Sequence, residues 1–216
     1  MADVKRQYRS PTREEQARAT RRRIVEAALA LFSTQGFAGT SVKEVAERAS
    51  VSEQTVYNAF GDKVGLLVQA ALAYMETGGG GEEATLLAAL KVEPDPMARI
   101  RMVARNSREL WTSAALELDL MVFNAEDPDP RLDELQERAL AYKLEGNRAV
   151  LSLLFPDEIR RPGISVDDIA AFGTAVDSAA TVTTLRALGW SMDQWEAWLA
   201  QLLTLFLDPR RIAANE

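Results

Sequence analysis

The stretch "GTSVKEVAERASVSEQTVYNAFGDK", residues 39–63, contains two short helical patterns separated by a brief turn. Ser41 is followed three residues later by a glutamate, which is the spacing of a capping box, so one helix is expected to begin there. Ser52 provides a cap for the next helix, and Val56 and Phe60 stand four residues apart on its inner face. Two short helices joined by a turn of about three residues predict a helix-turn-helix, whose second helix enters the major groove of DNA.

The outer face of that second helix carries more hydrogen-bonding side chains than packing requires. These side chains are Glu53, Gln54, Tyr57 and Asn58. Gln and Asn bind adenine through both ends of the amide, and hydroxyl groups reach phosphates or base edges. The pattern therefore indicates a surface that reads DNA, although a solvated face on a small helical domain has the same pattern.

Charge is distributed unevenly along the chain. The net charge is −7, but residues 1–64 carry 11 Lys and Arg against 8 Asp and Glu, whereas the remaining residues carry 14 against 24. A basic segment on an acidic body indicates that only the N-terminal part meets a polyanion. Random scatter of charge is the alternative interpretation.

The chain of 216 residues contains neither Cys nor His. Their absence excludes disulfides, thiol nucleophiles, zinc sites of the Cys and His type, and proton transfer by His. The sequence also lacks a Gly-rich phosphate loop and a nucleophile elbow, so we expect no enzyme activity, no metal and no cofactor. Without a signal sequence or an apolar run of about 18–20 residues, the expected location is cytoplasmic, with no membrane partner.

Helical periodicity runs through nearly the whole chain, and nothing shows the sustained alternation of a strand. The first helix is expected to stop at Gly36, and a fourth is expected to begin near Asp62. The later helices are predicted over residues 82–91, 96–113, 114–125, 130–155, 166–188 and 191–207. The predicted fold class is all-α, with an N-terminal three-helix domain that holds the helix-turn-helix and a larger C-terminal helical domain.

Residues 20–67, "TRRRIVEAALALFSTQGFAGTSVKEVAERASVSEQTVYNAFGDKVGLL", resemble the DNA-binding domain of the tetracycline-repressor (TetR) family. The landmarks occur in the family's order and spacing: an Ala-rich first helix ending in "FSTQGF", then "GTSVKEVAERA", then "VS-x-x-TVY-x-x-F", then "DK". The resemblance implies a homodimeric regulator that binds a palindromic operator and releases it when a small ligand binds. It implies a DNA-binding domain over residues 1–77, with a basic N-terminal arm and a connecting fourth helix, and a ligand-binding and dimerisation domain over residues 78–216.

By position, the resemblance assigns eight residues to DNA contacts. Thr40 and Ser41, at the start of the second helix, resemble family positions that contact phosphate. Lys63 resembles the family's phosphate-binding lysine, and the amide groups of a helix N-terminus support such a contact. The residues on the recognition helix are Ser52, Gln54, Thr55, Tyr57 and Asn58.

Three positions depart from the family pattern. Ser50 replaces a common glycine in the turn, where a positive φ is expected and a side chain carries a cost. Glu53 is acidic where many relatives are basic or small, and Ala59 stands where Tyr or His often contacts the DNA backbone. These departures affect the expected operator sequence and affinity rather than the motif itself.

The resemblance also implies a ligand cavity among the central helices of the second domain. Its candidate lining residues are Trp111, Met121, Phe123, Tyr142, Phe172 and Asp177. The aromatic and Met side chains suit a mostly apolar ligand, and Asp177 suits a cationic group or a hydroxyl. Any of these residues can instead be ordinary core, and Asp177 can equally lie at the edge facing solvent or the dimer partner.

The last two predicted helices resemble, in placement and composition, the pair that forms the family's dimer interface. Two such helices from each subunit would form a four-helix bundle with two-fold symmetry. The candidate interface residues are Gly173, Ser178, Trp195, Trp198, Leu202 and Phe206. The alternative is that these helices belong only to the core of the monomer.

The sequence therefore predicts a ligand-responsive transcriptional regulator, a repressor whose partners are double-stranded operator DNA, a small-molecule effector and a second copy of the chain. The alternative is a non-catalytic, dimeric interaction module on the same scaffold, with weak or lost operator binding.

Overall fold

The computed structural model describes residues 11–77, 82–123 and 129–210, and the regular structure in these ranges is helical. The helices are α1 (Pro11–Gly39), α2 (Val42–Arg48), α3 (Glu53–Phe60), α4 (Lys63–Glu76), α5 (Glu82–Val92), α6 (Pro96–Leu110), α7 (Ala114–Phe123), α8 (Pro130–Leu154), α9 (Val166–Val176), α10 (Ala179–Ala187) and α11 (Met192–Thr204). The all-α prediction is confirmed. No helix in the described ranges has the length and apolar character needed to cross a membrane.

The chain divides into two compact units, Met1–Ala70 and Ala71–Glu216. The division falls inside α4, whereas the sequence pattern placed the functional boundary between residues 77 and 78. That functional boundary stays a prediction. Residues 1–10, which hold most of the predicted basic arm, lie outside the described residues.

The first unit is built on α1, which packs against α2, and α2 in turn packs against α3. Its buried apolar side chains include Ile24, Ala28, Phe32, Val45, Val56, Phe60 and Leu66. The predicted end of the first helix at Gly36 marks a real interruption, because Gly36 adopts φ 71° and ψ 169° before the chain makes a further helical turn to Gly39. Phe37, which follows the break, places its ring 5.6 Å from the ring of Phe32, centroid to centroid.

The turn between α2 and α3 is a Schellman motif with a serine at the position that usually holds glycine. The Ser50 amide donates to the Glu47 carbonyl at 3.1 Å, and the Val51 amide donates to the Ala46 carbonyl at 2.9 Å. Ser50 adopts φ 56°, in the left-handed region. The positive φ expected at Ser50 is therefore confirmed.

The second unit is a helical assembly in which α11 packs on α6, and α8 packs on α9 and α5. Its main core is formed by Ile100, Ala104, Trp111, Leu151, Leu154, Phe155, Ile169, Ala170, Val182, Trp195, Leu199 and Leu203. The observed bounds of α5, α6, α7, α8 and α11 agree with the predicted spans to within three residues at each end.

The single helix predicted over residues 166–188 is wrong, because the chain forms two helices there. Asp177 ends α9 with φ −85° and ψ 72°, and Ser178 is extended and caps α10 by accepting a hydrogen bond from the Thr181 amide. The Asp177 side chain points inward, where its carboxylate accepts a hydrogen bond from the Ser107 hydroxyl at 2.7 Å. This long-range contact holds the chain in a non-helical conformation that helical periodicity does not reveal.

Candidate nucleic-acid interface and ligand cavity

The recognition helix α3 presents a polar face to solvent and an apolar face to the core. Val56 and Phe60 are buried, whereas Gln54 and Asn58 are exposed and Tyr57 keeps 44% of its surface accessible. The Gln54 Nε2 atom donates to Asn58 Oδ1 at 2.9 Å, one turn further along the helix. This bond links the two amides that are best suited to adenine, so both are held on the outer face before any DNA arrives.

Ser52 and Thr55 build the start of α3. Ser52 Oγ accepts a hydrogen bond from the Thr55 amide at 3.2 Å, as an N-cap does, and the two side-chain hydroxyls lie 2.8 Å apart. Ser52 is exposed and Thr55 is half-buried. Their hydroxyls therefore define the first turn, which is the part of a recognition helix that enters the groove.

The two residues predicted to contact phosphate at the start of α2 have different surroundings. Ser41 is exposed and forms the predicted capping box: its hydroxyl accepts from the Glu44 amide at 3.2 Å, and its own amide donates to Glu44 Oε2 at 2.8 Å. Thr40 is only 2% exposed, and its hydroxyl donates to the Gly36 carbonyl at 2.9 Å. Because the Thr40 side chain is enclosed and already bonded, it stabilises the turn before α2, and we leave it out of the candidate interface.

Lys63 is the first residue of α4, and its ammonium lies near an aromatic ring and a carboxylate. Its Nζ atom lies 4.4 Å from the centroid of the Phe37 ring, a cation–π contact. Burial lowers the pKa of the Lys63 ammonium below its ordinary value, and the Glu44 carboxylate opposes that shift. The Phe37 contact holds the ammonium near the N-terminus of α4, where the Gly65 amide donates to Asp62 Oδ1 at 2.7 Å.

Arg21 links three helices of the first unit, a role that its place in a run of arginines did not reveal. Its Nη1 atom donates to the Ala59 carbonyl at 2.7 Å, and its guanidinium carbon lies 4.5 Å from the centroid of the Phe60 ring. Its Nη2 atom lies 3.4 Å from Gln69 Oε1. Arg21 therefore fixes the end of the recognition helix against α1 and α4. The run of three arginines at residues 21–23 indicated basic character, but not which of them turns toward α3.

The second unit contains a cavity of about 200 Å³. The lining side chains within the described residues are mostly apolar or aromatic, with three carboxylates and one ammonium among them. They are Ala71, Tyr74, Met75, Glu83, Leu86, Asn106, Leu110, Trp111, Ala115, Leu118, Asp119, Val122, Phe123, Ala139, Tyr142, Lys143, Asn147, Val150 and Asp177, with Gly146 completing the wall.

Four of the six predicted ligand-binding residues line this cavity, namely Trp111, Phe123, Tyr142 and Asp177. Met121 and Phe172 do not. Phe172 is 45% exposed, and its ring lies 5.9 Å from that of Phe206, centroid to centroid. Met121 is half-buried, and its neighbours Val122 and Phe123 on α7 supply the lining instead. The sequence identified α7 correctly but not its rotation, and at α9 the lining includes only Asp177, the residue that follows the helix.

Asp177, itself partly buried, is the centre of a polar cluster at the wall of the cavity. Its carboxylate accepts hydrogen bonds from the Trp111 indole and from the Ser107 hydroxyl, and the Trp195 indole donates to that hydroxyl at 2.9 Å. Burial raises the pKa of the Asp177 carboxyl, while the two hydrogen bonds and the charge of Lys143 oppose the rise. Asp177 therefore has a clear structural role, which is to join α6 to the break between α9 and α10.

Lys143 forms the second polar cluster in the cavity and was not identified from the sequence. Its ammonium forms an ion pair with Asp119, and both side chains are largely buried. The ammonium also lies 4.4 Å from the centroid of the Phe123 ring and 5.7 Å from that of Trp111. An opposite charge and two aromatic rings thus stabilise this ammonium in the wall of the cavity.

Glu83 and Tyr142 form the third polar cluster. The Tyr142 hydroxyl donates to Glu83 Oε2 at 3.1 Å. Burial raises the pKa of Tyr142, and the Glu83 charge raises it further. A Cβ atom at Gly146 would lie only 3.2 Å from Glu83 Oε1, so the absence of a side chain at that position allows the carboxylate to approach α8 closely. Glu83 could not be identified from the sequence because it belongs to an ordinary acidic start of a helix.

The six predicted dimer-interface residues lie on α9, α10 and α11 or at their ends, but not all of them have free surface. Trp195 is only 1% exposed and packs in the core of its own unit, so it has almost no area to offer a second copy. Ser178 caps α10, and Gly173 lies against Leu151 of α8. Partial exposure remains at Trp198, Leu202 and Phe206, which pack on the edge of the core.

The fold and the first unit together define a class: all-helical proteins with an N-terminal helix-turn-helix and a separate helical unit that holds a cavity. Residues 24–70 match the family model described as "Bacterial regulatory proteins, tetR family". This stretch, which holds α2, α3 and parts of α1 and α4, is thus similar to the N-terminal domain of that family.

Comparisons with individual proteins agree with this similarity. The chain is 33% identical over 119 residues to the HTH-type transcriptional regulator BetI of Yersinia pestis, which covers 54% of this chain and 59% of that protein. It is 44% identical over 50 residues to the HTH-type regulator YvkB of Bacillus subtilis, covering 23% of this chain and 26% of YvkB. The chain thus matches between about a quarter and three-fifths of the length of these relatives.

Among solved structures, a protein from Saccharomonospora viridis, described as a transcriptional regulator in complex with choline, has a similar fold. The TM-score is 0.71 at 17% identity, and the match covers 88% of this chain and 99% of that chain. At 17% identity, the comparison establishes similarity of fold only.

Proposed function

We propose that the chain is a DNA-binding transcriptional regulator, a repressor whose operator affinity responds to a small ligand. The observation that carries the proposal is the face of α3, where Gln54, Tyr57 and Asn58 are exposed and the two amides are already bonded to each other. No packing role explains these side chains, and their chemistry suits base edges and phosphates. Access to the chromosome then makes the cytoplasm the proposed location.

The proposed functional form is a homodimer on a palindromic operator. Two recognition helices related by a two-fold axis would read half-sites about 34–36 Å apart on successive major grooves. The partly exposed side chains of Trp198, Leu202 and Phe206 on and after α11 support an interface there. They offer apolar area at the edge of the core, as a helical dimer interface requires.

The proposed effector site is the cavity in the second unit. Its mostly apolar and aromatic lining supports a small organic ligand, and the choline complex of the S. viridis protein shows that a protein of this fold binds one. Tyr74 and Met75 of the cavity and Lys63 at the DNA-facing end belong to the same helix, α4. Ligand binding that displaces α4 would therefore act directly on a proposed phosphate contact, and release follows if the ligand favours the displaced state.

The test is selection of binding sites from fragmented DNA of the source genome with the purified protein at near-physiological salt. We expect enrichment of a palindromic site whose affinity falls steeply as salt is raised. Failure to enrich any site at both low and physiological salt would contradict the proposal and favour an interaction module without operator binding. The exposed acidic residue Glu53 at the start of α3 is the feature that favours that second function.

A further inference from the structure

The charges that line the cavity do not balance. Among the lining residues that the structure describes there are three carboxylates, those of Glu83, Asp119 and Asp177, and one ammonium, that of Lys143. Most of the remaining lining is apolar or aromatic, so water compensates these charges poorly. The interior therefore favours a ligand that brings positive charge.

Two of the three carboxylates already have strong partners within the protein. Asp119 forms an ion pair with Lys143, and Asp177 accepts hydrogen bonds from the Trp111 indole and the Ser107 hydroxyl. Glu83 differs from both. Within the described part of the chain, its carboxylate has one hydrogen-bond donor, the neutral Tyr142 hydroxyl, and no cationic partner.

The walls near Glu83 have the chemistry that binds organic cations. Tyr142 donates to the Glu83 carboxylate, and Tyr74 contributes a second phenol ring to the lining. Aromatic faces attract cations, and the attraction grows when both groups are shielded from water. Gly146 leaves the Glu83 carboxylate close to the α8 backbone, which limits the space on that side, and Glu83 itself lines the cavity.

An anionic ligand fits this arrangement poorly. The Lys143 ammonium is held by Asp119 and by the ring of Phe123, 4.4 Å away, so an anion would have to compete with a buried ion pair. The same anion would lie close to the carboxylates of Glu83 and Asp119 in a mostly apolar cavity, where like charges repel strongly. A neutral ligand would leave the Glu83 charge without a counter-charge.

We propose that the cavity binds a small organic monocation, an ammonium with apolar substituents, whose charge lies at Glu83 beside the rings of Tyr142 and Tyr74. The proposal rests on the proposed function only in taking this cavity as the effector site. The volume of about 200 Å³ restricts the ligand to a small molecule. Glu83 is then the residue that selects for charge, and the Lys143–Asp119 pair keeps the opposite side of the cavity neutral.

The test compares three phenyl compounds of different charge by isothermal titration calorimetry on the full chain without DNA. Phenyltrimethylammonium is the cation, tert-butylbenzene is its neutral isostere with carbon in place of nitrogen, and benzenesulfonate is the anion. We expect the cation to bind at least tenfold more tightly than the isostere, and the anion not to bind measurably. Equal affinity for the cation and the isostere, tighter binding of either other probe, or no binding of any of the three would overturn the proposal.

A matched pair of variants assigns the preference to one residue. Glu83→Gln removes the charge but keeps an acceptor for the Tyr142 hydroxyl, and it should reduce the preference for the cation about tenfold. Glu137→Gln removes an exposed carboxylate of α8 outside the cavity lining and should leave the preference unchanged. An unchanged preference in Glu83→Gln would show that Glu83 is not the selecting residue.

These measurements use no DNA, so they separate this proposal from the proposed function. If the protein bound its operator but showed no preference for the cation, only the proposed cation site would be overturned. Failure of operator selection with an intact preference would instead contradict transcriptional regulation and leave the cation site standing.

Discussion

At the scale of single residues, Ser50 carries a backbone cost that its neighbours do not. It occupies the glycine position of a Schellman motif with φ 56°, whereas the equivalent position after α10 is held by Gly189 with φ 88°. A non-glycine residue in the left-handed region costs about 1 kcal/mol. Ser50→Gly is therefore expected to raise the free energy of unfolding of the first unit by about that amount, measured by urea unfolding followed by circular dichroism.

The matched control makes the reverse substitution in the Schellman motif that follows α10. Gly189→Ser should lower the free energy of unfolding by about 1 kcal/mol, although a Cβ atom there meets nothing within 4 Å. All four tryptophans belong to the second unit, so their fluorescence reports on it separately. If Ser50→Gly were no more stable than the wild type, the positive φ of Ser50 would carry no net cost to the stability of the first unit.

At the scale of helices, Arg21 fixes the end of the recognition helix through the Ala59 carbonyl and the Phe60 ring. Arg21→Ala removes a charged hydrogen bond and a cation–π contact, so the free energy of unfolding of the first unit should fall by about 1 kcal/mol. Arg22 is the control, because its exposed side chain only approaches Glu26 at 4.0 Å. Arg22→Ala should change stability by less than about 0.5 kcal/mol. Equal effects in the two variants would exclude a specific role for Arg21.

The break between α9 and α10 has a consequence for pH dependence. Burial raises the pKa of Asp177, so the folded chain keeps this proton at pH values where the unfolded chain has lost it. Asp177 therefore lowers stability as the pH rises from its unfolded pKa through its raised folded pKa. Asp177→Asn should remove that decline while an amide oxygen still accepts from Trp111 and Ser107, as thermal unfolding at a series of pH values would measure.

The control for that series is Asp133→Asn, which changes an exposed carboxylate in the first turn of α8. It should leave the pH dependence of stability as it is in the wild type. If the decline persisted in Asp177→Asn, another group would be responsible, and the charges nearest to Asp177, those of Lys143 and Asp119, would be examined next.

The helices also show why some features follow from sequence and others do not. Ser41 and Ser52 were correctly identified as caps because a cap depends on residues three positions apart. The break at Asp177 was missed because its cause is a contact with Ser107, 70 residues away. The rotation that turns Met121 and Phe172 out of the cavity is likewise set by packing between helices. The roles of Glu83 and Lys143 depend on their contacts with Tyr142 and Asp119, respectively, which lie in distant segments of the chain.

At the scale of the whole molecule, the proposed function depends on a basic unit that contacts DNA and an acidic unit that does not. Lys63→Gln removes a proposed phosphate contact, so affinity should fall similarly for all DNA sequences, and the slope of log affinity against log salt should fall by about one. Gln54→Ala should instead change base preference, because an amide that reads a base contributes about 1–3 kcal/mol of discrimination.

Fluorescence anisotropy with the selected operator and with single-base variants, each over a range of salt, measures both effects. The control is Lys91→Gln, which removes an exposed charge in α5 of the second unit and should alter neither the affinity nor the salt slope. A Lys63→Gln variant with an unchanged slope would remove Lys63 from the interface. If Gln54→Ala weakened all sequences equally, α3 would position the protein on DNA without reading a base through Gln54.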